Sequence, residues 1–217
     1  MKQQIITIAQ QKGGVGKTTI TAHLAVEFAN MNLRVAVIDV DPQSSLTMWH
    51  QIREKNLGET GIHFISTTGW RISSEISRLK EDYDIIIIDS PPHTDTEAKT
   101  AIRAADLVII PLQPSPTDFW ATEATINIAR KENKEFVCLL NRVSNNSRLA
   151  RDIAVGLPNL LERTISNRVG FASALLEGKC VTETEPKSNS ADEIRELIAE
   201  VTNILQQISA KKKTSVR

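Results

Sequence analysis

The sequence predicts an α/β fold with a doubly wound, mostly parallel sheet that is flanked by helices. Three observations predict it: short β-branched runs alternate with longer helical patterns, the runs are continuously apolar, and the chain has 217 residues. Continuous apolar runs are typical of parallel strands, because helices cover both faces of such a sheet. Hydrophobic residues make up 41% of the chain and charged residues 24%, the usual balance of a globular domain. We expect one domain over residues 1–209 and a basic, flexible tail over residues 210–217.

Strands and helices alternate regularly up to residue 141. The β-branched runs predict strands over Ile5–Ala9, Arg34–Asp39, Ile62–Ser66, Ile85–Asp89, Leu107–Pro111 and Phe136–Asn141. The segments between them have helical periodicity; for example, Ile20, Leu24 and Phe28 recur every four residues on one face. The predicted helices are Lys17–Met31, Ser44–Lys55, Trp70–Leu79, Thr96–Ala104 and Thr117–Asn133.

The alternation loosens after residue 141. We expect helices over Arg148–Val155 and Val169–Leu176 and a short strand near Leu160–Ile165. Apolar residues recur at helical spacing from about Ala191 to Ile208, which predicts a last amphipathic helix. Ser190 with Glu193 three residues later has the pattern of a capping box at its start.

The composition argues against several classes of function. The 26 Lys and Arg residues balance the 26 Asp and Glu residues, so the overall charge does not predict a nucleic-acid partner. Cys138 and Cys180 lie too far apart in the chain for a redox motif or a zinc ligand set. The apolar runs are far shorter than the ~20 residues that span a bilayer, and the N-terminus lacks a secretory pattern. We therefore expect a cytoplasmic protein.

The strongest motif lies between the first predicted strand and the first predicted helix. It is Gln11-Lys12-Gly13-Gly14-Val15-Gly16-Lys17-Thr18-Thr19. Its glycines let backbone N–H groups turn toward phosphate oxygens, and the helix N-terminus adds a positive dipole. In a phosphate-binding loop of this kind, Lys17 would reach the β- and γ-phosphates and the Thr18 hydroxyl would coordinate Mg²⁺. The general pattern has glycine where this chain has Gln11.

That departure is informative, because the segment from Lys12 to Thr18 resembles the deviant Walker A motif of the ParA/MinD family of dimeric P-loop ATPases. The resemblance extends from Ile5 to about Leu205. In that family a second lysine, matched here by Lys12, reaches across an ATP-bound homodimer to the partner's nucleotide, much as an arginine finger does. The resemblance implies ATP and Mg²⁺ as cofactors and catalytic roles for Lys12, Lys17 and Asp41. It also implies nucleotide contacts from Lys12, Gly13, Gly14, Val15, Gly16, Lys17, Thr18, Thr19 and Asn141.

Three aspartates stand at the ends of predicted strands. Asp39 and Asp41 close the second strand, and because alternate residues of a strand point to opposite faces, we expect them to have different roles. By resemblance, Asp41 orients the attacking water and Asp39 supports the magnesium shell. The run Ile85–Ile88 delivers Asp89 to the carboxyl edge of the sheet, where it is expected to hold a magnesium-bound water. The expected metal set is therefore Thr18, Asp39 and Asp89.

Two later segments complete the expected nucleotide site. Ser90-Pro91-Pro92 follows Asp89 directly and resembles the family's switch segment, which senses the γ-phosphate. Asn141 ends the sixth strand at the position that resembles the family's adenine-recognition residue. An asparagine amide offers both a donor and an acceptor, as the edge of adenine requires.

The resemblance leaves a choice between family members. No cysteine lies between Asp89 and Val137, which argues against the nitrogenase iron protein, and no bulky apolar face follows Ile208, which argues against a MinD-type membrane anchor. The chain is most similar to short ParA proteins. These dimerise on ATP, bind DNA non-specifically, and segregate plasmid or chromosomal DNA with a ParB-like or adaptor partner. The alternative is a MinD-like or cargo-positioning ATPase that acts on a membrane or a large protein complex.

A basic segment predicts where DNA would bind. Between Arg142 and Lys179, six basic residues face three acidic ones, a local net charge of +3 in a neutral chain. Phosphate contacts from such residues carry no sequence information, which suits a nucleoid-associated protein. By resemblance to the family's DNA-contacting region, we expect the contacts from Arg163, Arg168 and Lys187.

Overall fold

The sheet brings the carboxyl ends of all its strands to one edge. The computed structural model describes residues 3–79, 81–92 and 95–214. Within this part of the chain, six parallel strands lie in the order β3-β2-β4-β1-β5-β6. They are β1 (Gln4–Ile8), β2 (Val35–Asp39), β3 (His63–Ser66), β4 (Ile85–Asp89), β5 (Leu107–Leu112) and β6 (Glu135–Leu140). The predicted doubly wound sheet is confirmed, and its carboxyl edge is where such sheets bind ligands.

The helices follow the strands as the alternation predicts. They are α1 (Lys17–Asn30), α2 (Ser45–Leu57), α3 (Ile72–Leu79), α4 (Asp95–Ala104), α5 (Pro116–Lys131), α6 (Arg148–Gly156), α7 (Val169–Leu176), α8 (Val181–Thr184) and α9 (Asn189–Thr214). A short 3₁₀ turn over Gly69–Arg71 precedes α3. The short helix α8 was not predicted, because four residues are too few for a helical period to show.

Successive residues of the strands pack into two separate layers. Ile6 and Ile8 belong to a core formed with α1 and α9, whereas Ile86 and Ile88 belong to a core formed with α3 and α4. A third apolar cluster joins β5 and β6 to α5. Both faces of the sheet are therefore covered, which explains why its strands are continuously apolar in sequence.

The C-terminal region departs from the prediction in two ways. Helix α9 continues to Thr214, five residues into the segment 210–217 that was expected to be a flexible tail. Lys211 pairs with Glu135 at 3.0 Å, and Lys212 pairs with Asp106. Residues 215–217 of the expected tail lie outside the described part of the chain. The strand expected near Leu160–Ile165 is present only as isolated bridges, from Leu160 to Cys138 and from Ser166 to Val143.

The capping box predicted for α9 is wrong. The Ser188 hydroxyl, rather than that of Ser190, accepts a hydrogen bond from the Ala191 amide at 3.2 Å. Glu193 instead accepts hydrogen bonds from the backbone and the hydroxyl of Ser166. In the described residues no helix is both long enough and apolar enough to cross a membrane.

Candidate nucleotide site

The loop between β1 and α1 has a backbone that requires glycine. Gly14 and Gly16 have φ angles of +79° and +97°, in the left-handed region that side chains disfavour. A Cβ on Gly16 would lie 2.3 Å from the Asn141 amide nitrogen, whereas a Cβ on Gly14 would have no atom within 4 Å. The helix begins at Lys17, so its unpaired N–H groups face the loop.

Gly16→Ala should therefore destabilise the nucleotide-free protein more than Gly14→Ala does. Both variants strain the backbone by about 1–3 kcal/mol, but only Gly16→Ala also displaces the Asn141 side chain. Thermal unfolding without nucleotide would measure the difference. Equal losses of stability in the two variants would show that the close approach of Gly16 to Asn141 does not contribute to the stability of the protein.

Asn141 ties the loop to the end of β6. Its amide nitrogen donates to the Val15 carbonyl at 2.7 Å, and its oxygen accepts from the Arg142 amide at 3.0 Å. The side chain is buried and lines the cavity next to the loop. This placement is compatible with the adenine contact predicted for Asn141, and it adds a second role in fixing the loop.

The two lysines of the motif point to different places. The buried Lys17 ammonium lies in the cleft and donates to the Lys12 carbonyl at 3.4 Å. Burial lowers the pKa of Lys17, and the charges of Asp89 and Asp41 oppose that shift. The Lys12 ammonium instead donates to the Thr117 hydroxyl at 2.8 Å and forms an ion pair with Asp118 at the start of α5.

Asp89 is fully buried beneath the loop. It accepts hydrogen bonds from the Thr18 hydroxyl at 2.8 Å and from the Thr21 hydroxyl at 3.3 Å. Burial and the nearby charge of Asp39 raise the pKa of Asp89 well above its ordinary value. A buried carboxylate beside a hydroxyl provides the oxygen ligands that Mg²⁺ prefers, so Asp89 and Thr18 fit the expected ion.

Asp39 and Asp41 have different surroundings, as their alternation predicts. One Asp39 oxygen accepts from the Asp41 amide at 3.0 Å, and the other accepts from the amide and the hydroxyl of Thr47 at 3.0 and 2.6 Å. Asp39 thus shapes the turn into α2, and its place in a magnesium shell remains a prediction. Asp41 lines the cleft and accepts from the Gln43 amide at 2.9 Å.

Two adjoining cavities lie at this part of the molecule. One cleft of about 530 Å³ contains Gly13, Gly14, Gly16, Lys17, Thr18 and Asp41 among its lining residues. A neighbouring cavity of about 320 Å³ is lined by Asn141, Ser166, Arg168 and Phe171, among others. Both include Thr19 and Arg142 in their linings. The two cavities therefore meet at these two residues.

The loop after β5 contacts both the phosphate loop and the start of α5. Gln113 donates from its side chain to the Gly14 carbonyl at 2.9 Å and from its backbone to Asp118 at 3.0 Å. The Ser115 hydroxyl caps α5 by accepting from the Asp118 amide at 3.1 Å. The spacing of Ser115 and Asp118 is a capping signal, and it could have placed Asp118 at the helix start beside the phosphate loop.

The residues expected to contact DNA lie apart from the cleft or against acidic neighbours. Arg163 pairs with Glu196 at 2.9 Å, and Arg168 pairs with Glu193 at 3.3 Å. Lys187 is exposed. The local charge of +3 counted along the sequence is therefore offset in space by glutamates of α9, which stand outside the counted segment.

The fold agrees with comparisons to known proteins. A model of the CobQ/CobB/MinD/ParA nucleotide binding domain matches residues 6–213. The chain belongs to this family. Its members thus include the ParA and MinD proteins that the Lys12 motif resembles, and the predicted family is confirmed.

Similarity extends over nearly the whole chain. The maintenance of carboxysome distribution protein A of Halothiobacillus neapolitanus is 27% identical over 90% of this chain and 95% of its own length. The chromosome-partitioning ATPase Soj of Thermus thermophilus is 26% identical over 95% of this chain and 98% of its own. The structure of MinD from Pyrococcus horikoshii with Mg-ADP has a TM-score of 0.80 at 20% identity, covering 96% and 99% of the two chains.

Proposed function

We propose that this chain is an ATP-driven switch of the ParA type. It binds ATP with Mg²⁺, dimerises with the nucleotides at the interface, and hydrolyses ATP slowly until a partner stimulates it. Lys17, Thr18 and the glycine loop hold the phosphates, Asp41 positions the attacking water, and Asp89 holds the magnesium shell. When bound, Mg²⁺ would offset negative charge on the phosphates.

The divergence of the two lysines is the observation that carries this proposal. Lys17 turns into its own cleft, whereas Lys12 is held on α5 by Thr117 and Asp118. With its side chain 36% exposed, Lys12 is accessible from outside the chain. A phosphate site needs one lysine for its own nucleotide, and the second is explained if it serves the nucleotide of a partner subunit.

The ATP state is proposed to bind DNA non-specifically and to segregate plasmid or chromosomal DNA on the nucleoid, with a ParB-like or adaptor partner. The partitioning role of the Thermus relative supports this. A second candidate is the positioning of a large protein cargo. The carboxysome distribution role of the Halothiobacillus relative favours it, as do the ion pairs that engage Arg163 and Arg168.

Co-sedimentation of the protein with DNA and with liposomes, each with and without ATP, tests these candidates. In a DNA-binding switch, the ATP state should bind two unrelated duplexes equally, and log affinity should fall by roughly 0.9 per phosphate contact against log salt. Charge reversal of exposed Lys187 should flatten that slope, whereas charge reversal of Asp192, which faces Arg195, serves as a surface control. A wild-type protein that hydrolyses ATP but binds neither duplex would favour the cargo role.

A further inference from the structure

A buried hydrogen-bond network fastens the first part of the phosphate loop to α5. The Gln10 amide nitrogen donates to the Thr122 hydroxyl at 2.8 Å, and the Thr125 hydroxyl donates to the Gln10 side-chain oxygen at 3.1 Å. The Gln11 backbone amide donates to the Thr125 hydroxyl at 3.4 Å. Gln10, Thr122 and Thr125 are each at most 1% exposed, so water does not compete for these bonds.

The hydrogens of this network permit one arrangement. The Thr122 hydroxyl donates its hydrogen to the Asp118 carbonyl at 2.8 Å. Its oxygen therefore accepts the hydrogen bond from the Gln10 amide nitrogen. The Thr125 hydroxyl donates to the Gln10 side-chain oxygen and accepts a hydrogen bond from the Gln11 backbone amide. Each hydroxyl is both donor and acceptor, and this fixes the orientation of the Gln10 amide as well.

The second part of the loop is held elsewhere. The Val15 carbonyl accepts a hydrogen bond from the Asn141 side chain, and the Thr18 hydroxyl donates one to Asp89. Lys12 therefore lies at the junction, with its side chain on Thr117 and Asp118 of the same helix that holds Gln10 and Gln11. Helix α5 thus fixes both the backbone that leads into Lys12 and the partners of its ammonium.

Because separate contacts hold the two parts of the phosphate loop, we infer that Gln10, Thr122 and Thr125 are positioning residues that orient Lys12 for hydrolysis. The inference rests on the proposed function, in which Lys12 acts on the partner's nucleotide. Lys17, Thr18 and Asn141 stay anchored when the network is lost, so ATP affinity should survive. A misplaced Lys12 should slow the chemical step, because small errors in the position of a charged group reduce a rate strongly.

The test is the double variant Thr122→Val with Thr125→Val, which keeps the side-chain shape and removes both hydroxyls. We expect kcat to fall about tenfold while the KM for ATP changes less than about twofold. The double variant to serine keeps the hydroxyls and should restore turnover. Thr182→Val is the matched control, because the buried Thr182 hydroxyl has no hydrogen-bond partner in the described chain. It should leave kcat unchanged.

Stability is separated from positioning by adding Gln10→Leu to the valine pair. Replacing Gln10 as well removes its unsatisfied side-chain amide, so the triple variant should regain part of the lost stability without regaining turnover. Turnover at the wild-type level in the valine pair would overturn the inference. So would a loss of ATP affinity that matches the loss of kcat.

Hydrogen exchange of the nucleotide-free protein tests the network independently of catalysis. The Gln11 amide should exchange faster in the valine pair than in the wild type, while the Thr18 amide should not change. Unchanged exchange at Gln11 would overturn the network whatever the kinetics show. If the wild type neither hydrolyses ATP nor dimerises, the proposed function fails and the positioning role fails with it, although faster exchange would still establish the anchoring of the loop.

Discussion

Asp89→Asn is expected to lower ATP turnover at least about a hundredfold and at the same time to raise the unfolding temperature of the nucleotide-free protein. Turnover should fall because a neutral amide attracts a divalent cation less than a carboxylate does. Stability should rise because the Asp89 carboxylate is fully buried near Asp39, and both conditions disfavour its charge. The gain should be largest at pH 8, because burial and Asp39 raise the pKa of Asp89 to about 7 and the wild type carries the buried charge above that pH.

The sign of this effect depends on pH in a defined way. The pKa of Asp89 is higher in the folded protein than the unfolded value of about 4, because burial favours the protonated form. The folded state therefore loses stability as the pH rises from that unfolded value to the folded pKa. Below the unfolded pKa, Asp89 is protonated in both states, so the wild type and Asp89→Asn should converge in stability there.

Asp84 provides a matched control immediately before β4. Hydrogen bonds from the side chain and backbone of Arg34 lower the pKa of Asp84 to about 2, so its charge is favoured in the folded protein. Asp84→Asn should therefore lower the unfolding temperature at pH 8 and leave turnover unchanged. Thermal unfolding at several pH values and ATPase assays at saturating Mg²⁺ measure both variants. A loss of stability in Asp89→Asn at pH 8 would contradict the expected sign.

The parts of the site that were predictable from sequence are those whose partners are set by one strand and the loop after it. Gly16, Lys17 and Thr18 lie where the loop after β1 enters α1, and Asp89 ends a run of four isoleucines. Once the strand order places β4 between β1 and β2, parallel register brings Asp89 beside Ile8 and Asp39. A short motif and the edge rule for parallel sheets were sufficient for these residues.

The contacts that the sequence did not indicate join segments far apart in the chain. Arg168 meets Glu193, and Lys12 meets Asp118 more than a hundred residues away. A charge count over one segment cannot include a helix that packs on it later, which is why the count omitted the α9 glutamates that pair with Arg163 and Arg168. Secondary structure and motif residues thus follow from local pattern, whereas pairing of surface charges follows from tertiary packing.

Lys12→Ala is expected to abolish ATP-dependent dimerisation and to lower stimulated turnover by about a thousandfold, the scale of an arginine finger. The variant should still bind ATP, because Lys17 and the glycine loop remain. Sedimentation of micromolar protein with and without ATP, together with a nucleotide titration, separates dimerisation from binding. A wild type that stays monomeric with bound ATP and Mg²⁺ would contradict the dimer, and a dimeric Lys12→Ala would contradict the role of this lysine.

The ion pair between Lys12 and Asp118 adds a prediction of opposite sign. For Lys12 to reach a partner's nucleotide it must leave Asp118, so this contact opposes dimerisation. Asp118→Asn removes the charge that holds Lys12 while an amide oxygen can still accept from the Gln113 backbone. It should therefore lower the dimer dissociation constant in ATP about fivefold, the lower end of typical coupling between sites. The variant Lys12→Ala with Asp118→Asn should show no such gain, and a gain there would mean that Asp118 acts through something other than Lys12.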